Sequence, residues 1–146
     1  MKKNKINKIK INKNEKILKG SGSMSVAIAR IIAPKGHLHT FEFHKQRSEL
    51  AQKEFEHYGV SEYITVKWRD VYEEGYITEK LKEEQADAIF LDLPKPWMAL
   101  EHAFKVLKPG CMLASYSPCI EQVQKTCLKL SSMNFQGNFF FFFFFK

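Results

Sequence analysis

The chain has 146 residues, of which 45% are hydrophobic and 27% charged, which suits one globular domain. Its net charge of +7 is confined to one end: residues 1–19 hold eight lysines and one glutamate, and residues 20–146 hold 15 basic and 15 acidic residues. The body is therefore no basic platform for nucleic acid. With no apolar leader, and with a Phe139–Phe145 run of only seven residues, neither a signal peptide nor a membrane span is expected.

Residues 1–16, MKKNKINKIKINKNEK, use almost only Lys, Asn and Ile. They read as a low-complexity tail, expected to be disordered, that could touch phosphates or act as a localisation signal. EKIL (15–18) is the one candidate for a first strand. GSGS (20–23) is a turn, and the apolar stretch to Ala33 reads as a helix broken by Pro34-Lys35-Gly36. HLHTFEFH (37–44) has strand character, with His37 and His39 on one face as packing or surface residues. KQRSELAQKEFEHYG (45–59) is an amphipathic helix, with Leu50 and Phe55 marking the apolar side and Gly59 the stop.

EYITVKW (62–68) reads as a strand and residues 76–84 as a weak, polar helix. ADAIFLDL (86–93) is a continuous apolar strand, expected to be central and buried on both faces. Pro94 and Pro96 forbid a helix before Trp97, and the helix at 97–107 ends at Lys108-Pro109-Gly110. A strand at 111–117 and a helix at 119–133 follow. His57 and His102 fall in helices and are expected to be solvated. Cys111, Cys119 and Cys127 match no zinc spacing, and three is an odd count for disulfides. Reduced thiols and no metal are expected. The Phe-rich tail at 136–146 is foreign to the rest, and the chain reads as a partial gene product. Alternating strands and helices imply an α/β fold, a mostly parallel sheet with helices on both faces.

Ligands of such sheets bind beyond the carboxyl ends of the strands. Four groups stand there. Gly20-Ser21-Gly22-Ser23 follow the first strand, where glycines allow close backbone approach and a helix start offers free N–H groups. Glu42 ends the second strand about 20 residues later, the spacing of a ribose-binding acid. The other reading is a surface glutamate beside Lys45 and Arg47. Asp70 follows the third strand and can accept a hydrogen bond from an adenine amino group, or serve as a turn residue. Asp92 ends the fourth. A doubly buried strand should not end on a bare carboxylate unless something offsets its desolvation. The prolines after it would present it on a rigid arch.

Taken together, GHLHTFEFH, RDV, FLDLPKPW and SPCIEQV, in that order, resemble the catalytic subunit of the eukaryotic tRNA (adenine-N1)-methyltransferases that act on adenine 58 of the T-loop. The resemblance covers residues 17–135 and implies a Rossmann-like class I methyltransferase fold using S-adenosyl-L-methionine. It assigns Gly20, Ser21, Gly22, Ser23, Glu42, Arg47, Asp70 and Val71 to the cofactor. It assigns Asp92 to the methyl-transfer site and to cofactor binding, and places Ser117-Pro118-Cys119 beside the pocket. It also implies tRNA as substrate, a non-catalytic RNA-binding subunit as partner in a heterotetramer, and a nuclear or cytoplasmic location.

The chain departs from the family pattern. Leu18-Lys19 stand where a first glycine is usual, the acidic end of the first strand is missing, and further C-terminal strands are expected to be missing. Two readings follow: an active catalytic subunit, or a truncated remnant of the same fold that binds no cofactor. In the first, adenine N1 attacks the methyl carbon in line, the base is extruded into the pocket, and Asp92 offsets the positive charge that forms.

Overall fold

Glu15–Leu18, the short segment EKIL, forms the strand on which the sheet is centred, β1. A computed structural model describes residues 15–18, 22–133 and 135–137. The two terminal sequences read as foreign, including the Phe run, lie outside the described residues apart from Glu15, Lys16, Gln136 and Gly137.

After β1 come α1 (Gly22–Ile32), β2 (His37–Glu42), α2 (Lys45–His57), β3 (Ile64–Trp68), β4 (Ala86–Asp92), α3 (Pro96–Val106), β5 (Leu107–Tyr116) and α4 (Ile120–Ser132). The five described strands pair in the order β3-β2-β1-β4-β5, every pair parallel. Chain order reverses at β1, which bonds to β2 on one side and β4 on the other. This is the Rossmann-like arrangement, and the crevice at the reversal is where such sheets take ligands.

Two apolar cores flank the sheet. Val26, Ala29 and Ile32 of α1 and Phe55 of α2 pack with Leu38 on one face. Ala99, Leu100, Ala103 and Val106 of α3 pack with Ile89 and Leu91 on the other. Period-two alternation explains the split: Ile89 and Leu91 turn to the α3 side, and Phe90 between them packs on the α1 side. Phe90 is only half-buried, so the two faces of β4 are unequally covered, against the even burial expected for it.

Four elements differ from the sequence reading. Residues 76–84 form no helix. Thr78 Oγ1 accepts the amides of Lys80 (3.3 Å) and Leu81 (3.0 Å), and that local bonding competes with a helical turn. Tyr76 and Leu81 anchor the loop in the α3-side core. On α2, Leu50 is 60% exposed, and the inward positions are Ser48, Ala51 and Phe55. Leu50 is two residues from Ser48, which on a helix is the far side. Helix α3 starts one residue early, with Pro96 at its first turn, where a missing N–H costs nothing. Finally, Lys108-Pro109-Gly110 do not lie between a helix and a strand but inside β5. There the register jumps from Ala86↔Leu107 to Ala88↔Met112, leaving a bulge, with Gly110 at φ +75°.

Candidate functional site at the carboxyl rim of the sheet

Register places the acids. Leu18, the last residue of β1, is level with Thr40 of β2 and Phe90 of β4. Glu42 and Asp92 each lie two residues further along. Both therefore rise past the end of β1, on the strands to either side of it. Two strand spacings separate them, roughly 10 Å. Alternation turns both toward the α1 side: Glu42 shares a face with Leu38, and Asp92 with Phe90. Helix α1 begins at Gly22 on the same rim.

Glu42 is half-buried, and one carboxylate oxygen accepts the His44 amide at 2.9 Å. The acid is thereby fixed while its second oxygen has further lone pairs. Its main-chain oxygen accepts the Arg69 amide at 2.9 Å, tying the end of β2 to the start of the next loop. Trp68, paired with Glu42 across β2 and β3, is 57% exposed and donates its indole N–H to Phe43 O at 2.8 Å.

Asp70 caps a turn, as the alternative reading had it: Oδ1 accepts the Tyr72 amide at 2.9 Å. Val71 is 2% exposed, its side chain in the α3-side core, so a ligand can meet only its main chain. Arg69 holds the loop beyond. Its Nη1 donates to Ile77 O at 2.6 Å and, at longer range, to the carbonyls of Glu74 and Gly75.

Asp92 is exposed, while Leu91 and Leu93 on either side are buried. The expectation of a carboxylate needing a partner to offset desolvation is thus corrected: this side chain, on the α1 side at the very end of β4, stays exposed. The rigid arch is observed. Pro94 O accepts from Gln122 Nε2 of α4 at 2.9 Å, and the Lys95 amide donates to Tyr72 Oη at 3.1 Å. Pro96 is buried, and Lys125 Nζ sits 5.0 Å from the Trp97 ring centroid. Burial, with help from the nearby Asp70 charge, raises the Tyr72 pKa against a lowering by the Lys95 hydrogen bond, so the phenol stays protonated.

His102 is half-buried rather than free in solvent. Its Nε2 bonds Tyr72 O at 3.1 Å, and its ring fills the space over Gly75. Tyr72, Gln122 and His102 had no assigned role in the sequence reading. Tyr72 follows Asp70-Val71 directly, and Gln122 is the third residue of a helix, but neither position says what it will touch.

The structure thus brings Glu42, Asp70 and Asp92 to one rim. Gly22 and Ser23 open α1 beside it, Arg47 lies exposed on the first turn of α2, and Gly20 and Ser21 lie outside the described residues. Among the described residues, no group of three His, Cys, Asp or Glu side chains could hold a metal ion, and no helix is long and apolar enough to cross a membrane.

Several known proteins are similar. The chain is 55% identical over 118 residues to the tRNA (adenine(58)-N(1))-methyltransferase catalytic subunit trmt61a of Dictyostelium discoideum, covering 80% of this chain and 38% of that one. It is 38% identical over 122 residues to the subunit of the same name, trm61, of Schizosaccharomyces pombe, covering 78% and 32%. It therefore spans well under half the length of either relative. Among solved structures, a SAM-dependent O-methyltransferase from Thermotoga maritima superposes with a TM-score of 0.72 at 31% identity, over 83% of this chain and 44% of that one. The tRNA (m1A58) methyltransferase TrmI from Aquifex aeolicus shares the fold, with a TM-score of 0.69 at 23% identity over 83% and 47%. The family described as tRNA methyltransferase complex GCD14 subunit matches residues 8–139. A match that runs through every described element, from β1 to α4, makes this chain a member of that family.

Proposed function

We propose that the chain is the catalytic subunit of a tRNA methyltransferase that moves a methyl group from S-adenosyl-L-methionine to N1 of adenine 58 in the T-loop. One observation carries the reading: Asp92 stands exposed at the end of β4, on an arch pinned at two backbone atoms, across the end of β1 from Glu42.

The rim fits the cofactor. Glu42 retains acceptor capacity for a ribose diol beyond the His44 amide, and Asp70 retains an oxygen for an adenine amino group beyond the Tyr72 amide. The start of α1 offers backbone N–H groups to the methionine carboxylate. β1, the strand whose sequence departs most from the family pattern, is formed and paired on both sides, which supports an enzyme over a remnant. When bound, S-adenosyl-L-methionine supplies a methyl group on a sulfonium, a neutral thioether leaving group.

The chain's part is positional and electrostatic. Transfer would form the N1–carbon bond as the carbon–sulfur bond broke, and would leave the positive charge on the adenine. Asp92, held beside N1 and the exocyclic amino group, offsets that charge and can accept an amino proton. Rigid presentation matters because an in-line transfer tolerates little misplacement. The described body carries no basic excess of its own, so RNA affinity is assigned to a non-catalytic subunit, in a heterotetramer.

Calorimetric titration of the chain with S-adenosyl-L-methionine should give saturable binding. With Asp92→Ala, methylation of a tRNA transcript should fall at least about 100-fold, with the thermal midpoint unchanged. Undiminished turnover in that variant would sink the assignment.

A further inference from the structure

We infer that Gln122 is a positioning residue for Asp92, acting from α4 through the main chain of the proline arch. The inference rests on the role proposed for Asp92.

Gln122 uses both ends of its amide. The Oε1 atom accepts the Cys119 amide at 3.3 Å, closing the first turn of α4. The Nε2 atom donates to Pro94 O at 2.9 Å, spanning 28 residues of sequence. Pro94 is two residues past Asp92, and Leu93 between them is buried. The arch cannot bond itself, because Pro94 and Pro96 have no N–H. Its carbonyl at Pro94 and its one amide at Lys95 are instead taken by side chains from two other elements, Gln122 and Tyr72. Asp92 is exposed, and among the described residues none is seen to hold its carboxylate by a hydrogen bond or ion pair. Its position is therefore set from behind, by the backbone it stands on. Through this amide SPCIEQV is joined to DLPKPW across 28 residues of sequence.

The two functions of Gln122 can be separated. Gln122→Glu keeps an oxygen for the Cys119 amide, and glutamate is favoured at this third helical position. It loses the donor and sets a carboxylate oxygen against the Pro94 carbonyl. If Gln122 serves only the helix, this variant should be silent.

The test compares the full chain with Gln122→Glu by hydrogen exchange, calorimetry and turnover. The Lys95 amide should exchange at least about tenfold faster in the variant, while the thermal midpoint is unchanged and the S-adenosyl-L-methionine dissociation constant stays within about twofold of the parent value. Turnover of a tRNA transcript should fall roughly 10- to 100-fold in kcat, with KM for the cofactor unchanged. Unchanged exchange at Lys95 overturns the inference whether or not the chain transfers methyl groups. Faster exchange with full turnover overturns it too. If the parent, assayed together with a non-catalytic RNA-binding subunit, shows no transfer, it is the proposed reaction that fails, and the exchange result still decides whether Gln122 holds the arch.

Discussion

Gly75 is a residue whose missing side chain holds the loop behind Asp70 in place. Its φ is +67°, and an added Cβ would sit 2.6 Å from His102 Nδ1. Both terms oppose any other residue: the left-handed backbone strains an L side chain, and the imidazole is itself fixed on Tyr72 O. Gly75→Ala should therefore destabilise by about 2–4 kcal/mol. A melting experiment should show a midpoint lowered on the order of 10 °C. Adding His102→Ala should recover the part due to the clash but not the part due to the backbone, and a double-mutant cycle reads the difference.

At the scale of the element, α2 shows what period alone can and cannot tell. The sequence reading of an amphipathic helix over 45–59 holds, and Phe55 is 1% exposed as its apolar side requires, but Leu50 faces solvent. Hydrophobicity of one residue does not fix the stripe; Ser48, Ala51 and Phe55 do, at helical spacing, although two of them are small. Phe55→Ala should cost about 3–5 kcal/mol and Leu50→Ala no more than about 0.5 kcal/mol, read from urea midpoints.

The strands were more legible than the loops for a related reason. A central parallel strand buried between two layers is mostly apolar, so ADAIFLD stands out, while HLHTFE and the edge strand ITVKW show through their β-branched and aromatic residues. The loop at 76–84 carries helix-forming Glu and Lys, and nothing local shows that Tyr76 and Leu81 are claimed by a distant core. The rim acids were readable because a strand end is a fixed place. What secures them was not, since Tyr72, His102 and Gln122 act across 23 to 30 residues of sequence.

For the molecule as a whole, His39 couples stability to pH. It is 3% exposed on the loop side of β2, with the His37 ring 4.9 Å away and Lys67, Glu79 and Lys80 around it. Burial first, and the Lys80 charge second, lower its pKa to about 4. An unfolded histidine titrates near 6.5, so between these values the unfolded chain holds a proton that the folded chain does not. Its contribution is complete above about pH 6.5 and is lost as the pH falls toward 4, on the order of 3 kcal/mol in total. Denaturant unfolding of the parent and of His39→Asn across that window should show a steeper acid loss in the parent.

Trp68 adjoins Glu42 across the β2–β3 pairing, and Trp97 follows the proline arch that carries Asp92. These are the chain's two tryptophans, and both sit on the rim assigned to the ligand. An indole 57% exposed beside Glu42 and another under a lysine ammonium have different surroundings to lose. If the proposed function holds, tryptophan emission is a built-in gauge of occupancy, because both indoles lie near that rim and the sequence holds no third.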